Sequence, residues 1–400
     1  MVKWLRGLLG MAPGLQLAPG ALPAPWASGR VALLDSIASA STAADGSLAD
    51  ACFTLPDQQT DASGYPFAPG QRDEGTVGEP TLRELNQAYE LSAALRAAGN
   101  DHTAAKISRL YQLMLAASPN CAEVMLRRLA RSGADPVQSA TLARWLVHKA
   151  PDVNAVKFGI ALLGQYGRAT DVDAMMMLGR HEEFTMNSAL AACKLLGPEP
   201  GQTAMWNLAR RVHGWARIHM VRKLAGTQCP EIQQWLLRDG YRNSYMVEYL
   251  AYLCATSGKL LPALQAPVVD ERLLIGAGEI LQALLYGRDG PAENMLDYTD
   301  GATATLVYLE LVHRQRPHDV RIAASVVALT HIGEHALPWD ADHVRRMALL
   351  GRQILAFDYW PALVREQLAG SEEQAYLASR VAPAFGVGLG GRTFRSGMYA

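Results

Sequence analysis

One short pattern in the chain has the residues needed to hold a catalytic metal. His331, Glu334 and His335 follow the arrangement His-x-x-Glu-His. On an α-helix, histidines four residues apart share a face and can bind one zinc ion while the glutamate activates water. Gly333 weakens such a helix, and Pro338 ends it soon afterwards. We therefore expect no bound metal or other cofactor. A zinc hydrolase at these residues remains an alternative.

The densest positive charge lies in residues 203–243. Seven lysines and arginines there accompany two acids, for a net charge of +5, and Trp206, Trp215 and Trp235 are interleaved with them. Basic and aromatic side chains on stacked helices can hold a nucleic-acid backbone. The alternative is that the tryptophans belong to the core and that the arginines form a solvated face or pair with neighbouring repeats. The candidate binding residues are Arg210, Arg211, His213, Arg217, His219, Arg222, Lys223 and Arg242.

The elements that position these residues are helices. Apolar residues recur three apart from Trp215 to Leu224, and Gly226 ends that helix. Pro230 stands at the first position of a second helix. Asn243 is a suitable cap for a third, which stops at Gly258. The sequence therefore predicts three consecutive helices with very short connections.

Glycines recur at a regular interval through this part of the chain. Six of them are 29 to 34 residues apart: Gly133, Gly167, Gly197, Gly226, Gly258 and Gly290. An interval of that size holds two helices of about a dozen residues and two turns, which is the content of one α-solenoid repeat. The interval predicts a stack of helix pairs.

The residue composition and the apolar periodicity of the sequence divide the chain into three parts. Residues 1–80 contain 10 glycines and 8 prolines without a sustained period, which indicates an irregular N-terminal segment. From Thr81 to Arg380 the apolar residues follow a helical period, so we predict a helical repeat domain over 81–380. Residues 381–400 are rich in glycine and are expected to form a flexible tail.

A resemblance to a known family supports the helical reading. The stretch from His213-Gly-Trp-Ala-Arg-Ile-His-Met-Val to Asn243-Ser-Tyr-Met-Val-Glu-Tyr-Leu-Ala resembles bacterial HEAT-like repeat proteins, over about residues 120–290. The resemblance implies an all-α fold, a right-handed α-solenoid of HEAT-like helix pairs. Some of these proteins carry the label limonene hydroxylase. A hydroxylase needs a redox centre, and the sequence shows neither a haem-thiolate cysteine motif nor strands to hold an iron site.

Charge and cysteine content limit the function classes. The 400-residue chain has a net charge of -1, so it lacks the overall positive field that drives non-specific nucleic-acid binding. Its five cysteines are widely spaced and form no C-x-x-C pair, which indicates a reducing compartment. No apolar run is long enough for a transmembrane helix. We expect a cytoplasmic protein; a secretory signal at the N-terminus, interrupted by prolines, is the alternative.

These observations favour a non-catalytic scaffold that binds another protein, because stacked helix pairs expose long surfaces suited to that role. The first alternative is a nucleic-acid-binding protein that uses the 203–243 cluster, similar to the HEAT-like DNA glycosylases, whose concave basic face holds the duplex backbone. The second is the zinc hydrolase. The sequence leaves the oligomeric state open.

Overall fold

The structure is a computed structural model that describes residues 22–50, 53–56, 68–71, 80–243, 246–287, 290, 292–335 and 337–389. Within these ranges nineteen segments are α-helical, and the β-type pairing is limited to one isolated bridge between Thr42 and Leu48. The all-α prediction is therefore confirmed. None of the described helices is long and apolar enough to cross a membrane. Residues 1–21, where the alternative secretory signal would lie, and residues 390–400 of the tail lie outside the described residues.

The chain folds as two compact units. The described part of unit 1 is residues 22–36, 55–56 and 80–171, and the rest belongs to unit 2. Helix α1, Leu33–Ser39, is divided between them. Unit 1 contains α2 (Leu82–Asn100), α3 (Ala104–Ala116), α4 (Ala122–Arg131), α5 (Pro136–Lys149) and α6 (Val153–Tyr166).

Local chemistry explains where the helices of unit 1 begin. Thr81 caps α2 in a reciprocal arrangement with Glu84, at the residue where the helical period of the sequence starts. Asp135 accepts hydrogen bonds from the first backbone amides of α5, and Pro136 occupies the first position of that helix. Each of these helices therefore begins at a residue whose side chain caps it.

The described part of unit 2 contains thirteen complete α-helices. They are α7 (Val172–Leu178), α8 (Glu182–Leu196), α9 (Pro198–Ala209), α10 (Gly214–Leu224), α11 (Pro230–Trp235), α12 (Glu248–Ser257), α13 (Leu260–Leu264), α14 (Glu271–Tyr286), α15 (Gly301–Gln315), α16 (Val320–Thr330), α17 (Ala341–Leu355), α18 (Trp360–Leu368) and α19 (Glu372–Val381). Helix α11 continues into a π-helical turn, Leu236–Gly240.

The helices of unit 2 pack in two series. In the first, α8 packs on α10, α10 on α12, α12 on α14, and α14 on α16. In the second, α13 packs on α15 and α15 on α17. The apolar faces of both series meet in one continuous core that extends from Ala189 to Trp360. Burial of this apolar surface is the main favourable contribution to folding of the unit.

The regularly spaced glycines all follow helices. Gly133, Gly167, Gly197, Gly226 and Gly258 come one or two residues after a helix ends, and Gly290 comes four residues after α14. At Gly197 the backbone has a φ of 81°, which favours glycine because it lacks a Cβ atom. The glycine pattern therefore marks real helix ends.

The predicted role of Asn243 as a helix cap is wrong. Helix α12 begins at Glu248, and Met246 has a left-handed backbone with a φ of 59°. The Asn243 side chain instead pairs with the backbone of Gly214: its Oδ1 accepts from the Gly214 amide at 2.7 Å and its Nδ2 donates to the Gly214 carbonyl at 3.2 Å. Asn243 thus fixes the start of α10.

Two segments that the sequence predicts as irregular contain packed structure. Helix α1 buries Leu33 and Ile37 completely. At the other end of the chain, a 3-10 turn follows Val381, and Val387 packs with Val364 in a small apolar cluster of unit 2. The first residues of the predicted tail are therefore part of the fold.

Candidate interaction surface

The eight candidate basic residues differ in exposure. Arg217 and His219 are buried, and the other six are half-buried (Arg211, His213 and Arg222) or exposed (Arg210, Lys223 and Arg242). None of the three tryptophans of the segment is exposed, and the rings of Trp206 and Trp235 pack edge to face at 6.4 Å. The buried members cannot contact an external ligand in this conformation.

Arg217 is a buried cation held by backbone carbonyls. Its Nη2 donates to the Asp239 carbonyl at 2.9 Å and its Nη1 to the Val212 carbonyl at 3.5 Å. Both carbonyls lie near helix ends, where partial negative charge accumulates. Burial lowers the pKa of Arg217 to about 10, and its Nε has no hydrogen-bond partner among the described residues. Arg217 therefore connects two helix ends inside unit 2.

Three other members of the cluster also contact the protein itself. The His219 ring nitrogen Nε2 lies 3.3 Å from the carbonyl of Gly70. The guanidinium carbon of Arg210 lies 5.3 Å from the centre of a Trp206 ring, and that of Arg222 lies 5.8 Å from the Tyr249 ring. Cation–π contacts of this kind orient the guanidinium groups along the surface.

Acids from outside residues 203–243 neutralise part of the cluster. Asp270, which caps α14, lies 2.8 Å from Nη2 of Arg238. Glu279, on α14 itself, lies 3.6 Å from Nη2 of Arg242. The net charge of +5 counted along the sequence therefore does not correspond to a surface of the same charge.

A band of mixed charge follows the first helix series of unit 2. We call it the polar seam. Its members come from α8, the start of α10, the π-helical turn and the residues after it, α14, and the start of α16: Glu182, His213, Arg217, Asp239, Tyr241, Arg242, Arg272, Glu279, Asp319 and Arg321. Apart from Arg217, which is buried, it contains four carboxylates and three guanidinium groups, so its charge is nearly balanced.

Adjacent members of the polar seam are connected by short contacts. The backbone amide of His213 donates to Glu182 at 3.3 Å. Nη2 of Arg272 lies 2.9 Å from the Asp239 carboxylate. Arg321 donates two hydrogen bonds to the carboxylate of Asp319, which raises the pKa of Arg321. Burial lowers the pKa of His213, and the positive charge of Arg217 lowers it further, so this histidine favours its neutral form.

The centre of the polar seam is a group of three side chains. The Tyr241 hydroxyl donates to the Glu279 carboxylate and accepts from Nε of Arg242 at 3.1 Å. Burial raises the pKa of Tyr241 well above its usual range, and the negative charge of Glu279 acts in the same direction. Side-chain exposure is 43% for Arg242 and 71% for Arg272. Guanidinium groups are thus presented beside carboxylates at the surface.

The histidine pair does not lie on a continuous α-helix. Helix α16 ends at Thr330, and Ile332–His335 form a 3-10 turn. Nδ1 of His331 lies 2.9 Å from the Val327 carbonyl, and the His335 ring packs edge to face on Tyr286 at 6.0 Å. In the described part of the chain, His331, Glu334 and His335 belong to no group of three or more residues suited to hold a metal ion.

Several residues of the polar seam have no distinguishing signal in the sequence. Tyr241, Arg272 and Glu279 belong to no motif, and they meet only because α14 packs against the π-helical turn. Asp319 and Arg321 have a weak signal, since an acid two residues before an arginine at a helix start is typical of a capped N-terminus.

No protein-family model, curated protein or solved structure matches the chain. The geometry of the two units is therefore the basis for a functional proposal.

Proposed function

We propose that the protein is a non-catalytic scaffold, a right-handed α-solenoid of HEAT-like helix pairs, that binds another protein. The stacking of α8, α10, α12, α14 and α16, each on the next, supports a solenoid in unit 2. The glycines that follow successive helices at intervals of 29 to 34 residues support a repeat of two helices.

The observation that carries the proposal is the alternation of charge along the polar seam. The exposed guanidinium of Arg272 lies beside Asp239, and that of Arg242 lies beside both Asp239 and Glu279. A protein surface with both signs of charge can complement such a pattern and gain specificity from it. A nucleic-acid backbone has only negative charge and is repelled by these carboxylates. The pattern therefore favours a protein partner over nucleic acid.

A site-specific photo-crosslinking experiment tests this function. A photoreactive amino acid replaces Arg272, and the protein is irradiated in extracts of its source cells. The matched control has the same residue at position 345 of α17, where the side chain of Arg345 is 74% exposed. We expect one protein adduct from position 272, at least about tenfold more than from position 345, with loss of the adduct when Arg242→Glu reverses a neighbouring charge.

Equal adducts at both positions contradict the proposed surface. Adducts at position 272 that disappear on nuclease treatment contradict the protein-scaffold reading and favour the nucleic-acid alternative, for which the exposed Arg210 and Lys223 would be the next residues to replace.

A further inference from the structure

In unit 1, a segment before the first helix is bound in the manner of a peptide ligand. The indole of Trp26 lies between two aromatic rings, with ring centres 5.0 Å from Trp145 and 5.1 Å from Tyr111. Trp145 and Tyr111 are buried, whereas Trp26 is half-buried. Trp26 is therefore an aromatic anchor placed against the helical body of unit 1.

Four residues after the anchor, an arginine forms a second set of contacts. Nη1 of Arg30 lies 2.7 and 2.9 Å from the two carboxylate oxygens of Asp152, and Nη2 donates to the Pro151 carbonyl at 3.1 Å. The backbone amide of Leu33 donates to the Ala150 carbonyl at 3.1 Å. We call the receptor side of these contacts the Trp26 site: Tyr111, Trp145, Ala150, Pro151 and Asp152.

Asp152 is arranged for this contact instead of for its own helix. It stands at the N-cap position of α6, yet its side chain makes no capping hydrogen bond. The carboxylate is only 10% exposed, and the Tyr111 hydroxyl also donates to it. A buried carboxylate requires a cation or several hydrogen bonds to stay charged. Arg30 provides the cation, so the site is built to recognise a guanidinium group.

The bound segment has the properties of a short linear ligand. Residues 22–32 contain no helix or strand. Pro23 and Pro25 restrict the backbone on the N-terminal side of Trp26, which lowers the entropy lost on binding. An aromatic anchor, a guanidinium bound to a carboxylate and a backbone hydrogen bond are the contacts that peptide-binding grooves use.

We propose that the Trp26 site is a peptide-recognition site for non-helical segments with a tryptophan followed four residues later by an arginine. Residues 22–33 are its intramolecular ligand, and a partner protein with a segment of this chemistry competes for the same site. The inference concerns unit 1 alone and does not rest on the role of the polar seam.

Covalent connection gives the intramolecular ligand an advantage. A tethered segment acts at an effective concentration in the millimolar range, so a free peptide binds measurably only when it exceeds that competition. Removing both anchors from the chain, Trp26→Ala with Arg30→Ala, vacates the site while all five receptor residues remain. The vacated chain and the native chain therefore differ in the competitor and not in the receptor.

The test uses a fluorescein-labelled peptide of residues 22–33 and the full-length protein, with binding followed by fluorescence anisotropy. We expect the dissociation constant for the vacated chain to be at least tenfold lower than for the native chain. The peptide variant with Trp26→Ala, and the vacated chain that also has Asp152→Ala, are expected to lose this binding. Equal affinity of the native and vacated chains contradicts the proposal.

A second measurement does not depend on the folding of the vacated chain. Native protein is digested briefly with trypsin in the presence of excess unlabelled peptide, in which the residue equivalent to Arg30 is replaced by homoarginine to slow its own cleavage. Displacement of the segment is expected to accelerate cleavage after Arg30 at least fivefold. An unchanged rate at saturating peptide shows that residues 22–33 are fixed structure and overturns the proposal.

Discussion

In each unit, a carboxylate, a tyrosine hydroxyl and a guanidinium group meet. In unit 1 they are Asp152, Tyr111 and Arg30; in unit 2 the tyrosine and the arginine are Tyr241 and Arg242, with Glu279 as the carboxylate. In both, the tyrosine donates to the carboxylate and the arginine lies beside it. The chemistry is the same, and the difference lies in which parts of the chain contribute the groups.

The arginine of unit 1 comes from a non-helical segment 122 residues before its carboxylate. In unit 2 the tyrosine and arginine are adjacent in the chain, and their carboxylate is on α14, 38 residues after the tyrosine. The first arrangement attaches a segment to a folded body, whereas the second connects consecutive helical elements. The same set of contacts can therefore attach a ligand-like segment in unit 1 and hold consecutive helices together in unit 2.

The largest effect is expected from Gly276→Ala, which disturbs the packing of α14 against the π-helical turn and so the contacts of Tyr241 with Glu279. A Cβ atom at Gly276 would lie 1.9 Å from the Leu237 carbonyl oxygen, so α14 must move away from the π-helical turn that precedes Tyr241. Overpacking of backbone against backbone is expected to cost about 3 kcal/mol or more of unfolding free energy. Thermal and urea denaturation measure this loss.

Gly388→Ala is the matched control, because a Cβ atom there meets nothing within 4 Å; its effect is expected within about 0.5 kcal/mol. Limited proteolysis after Arg30 is expected to stay unchanged in Gly276→Ala. If both glycine variants are equally stable, the close approach of α14 to the turn is not present in solution.

The second prediction compares the two carboxylates directly by replacing each with its amide. Asp152→Asn removes the charge that binds Arg30, so the non-helical segment opens more often and trypsin cleavage after Arg30 is expected to rise about tenfold, equivalent to roughly 1.4 kcal/mol. In Glu279→Gln, cleavage after Arg242 is expected to rise less than about threefold, because Tyr241 is buried and Asn243 is bonded to Gly214.

Mass spectrometry of the early cleavage products gives both rates from the same digests. The exposed acid Asp342 offers a control, since Asp342→Asn removes a pair with Arg345 at the surface and is expected to change neither rate. A larger increase in cleavage after Arg242 in Glu279→Gln than after Arg30 in Asp152→Asn would contradict the predicted difference between the two groups.

Much of the fold was accessible from the sequence because helix signals are local. The helical period from Thr81, the proline at the start of α11 and the glycine after α8 act within a few residues, and each appears where the sequence predicts it. The Asn243 prediction failed for the opposite reason. The same side chain that suits a local cap bonds a residue 29 positions away.

The candidate site was less accessible because charge and burial are three-dimensional properties. A charge count over residues 203–243 includes Arg217, which is inside the protein. It omits Asp270 and Glu279, which lie beside Arg238 and Arg242. The Trp26 site was missed entirely, since its anchor and its carboxylate are more than 120 residues apart in a Gly/Pro-rich segment and a helix start. Neither position carries a motif.

The smallest effect concerns the tyrosine hydroxyls at neutral pH. Tyr241→Phe removes a hydrogen bond to a carboxylate, while Arg242 stays beside that carboxylate, and is expected to cost about 1 kcal/mol. Tyr166→Phe is the control: that hydroxyl is also buried, but it is in hydrogen-bond geometry with none of the described residues. Its removal is expected to change stability by less than about 0.5 kcal/mol, because no bond is lost.

Measurements of stability at alkaline pH distinguish the contribution of the hydrogen bond from that of burial. Burial raises the pKa of Tyr241 and of Tyr166 above the usual value of about 10. Above that pH the unfolded chain releases a proton that the folded chain retains, so each tyrosine contributes a loss of stability as pH rises. Both variants are therefore expected to lose stability less steeply than the native protein between about pH 10 and 11, by up to 1.4 kcal/mol per pH unit. Urea denaturation at three pH values measures the slopes, and a Tyr241→Phe slope equal to the native one would show that this hydroxyl titrates normally and is not enclosed in the seam.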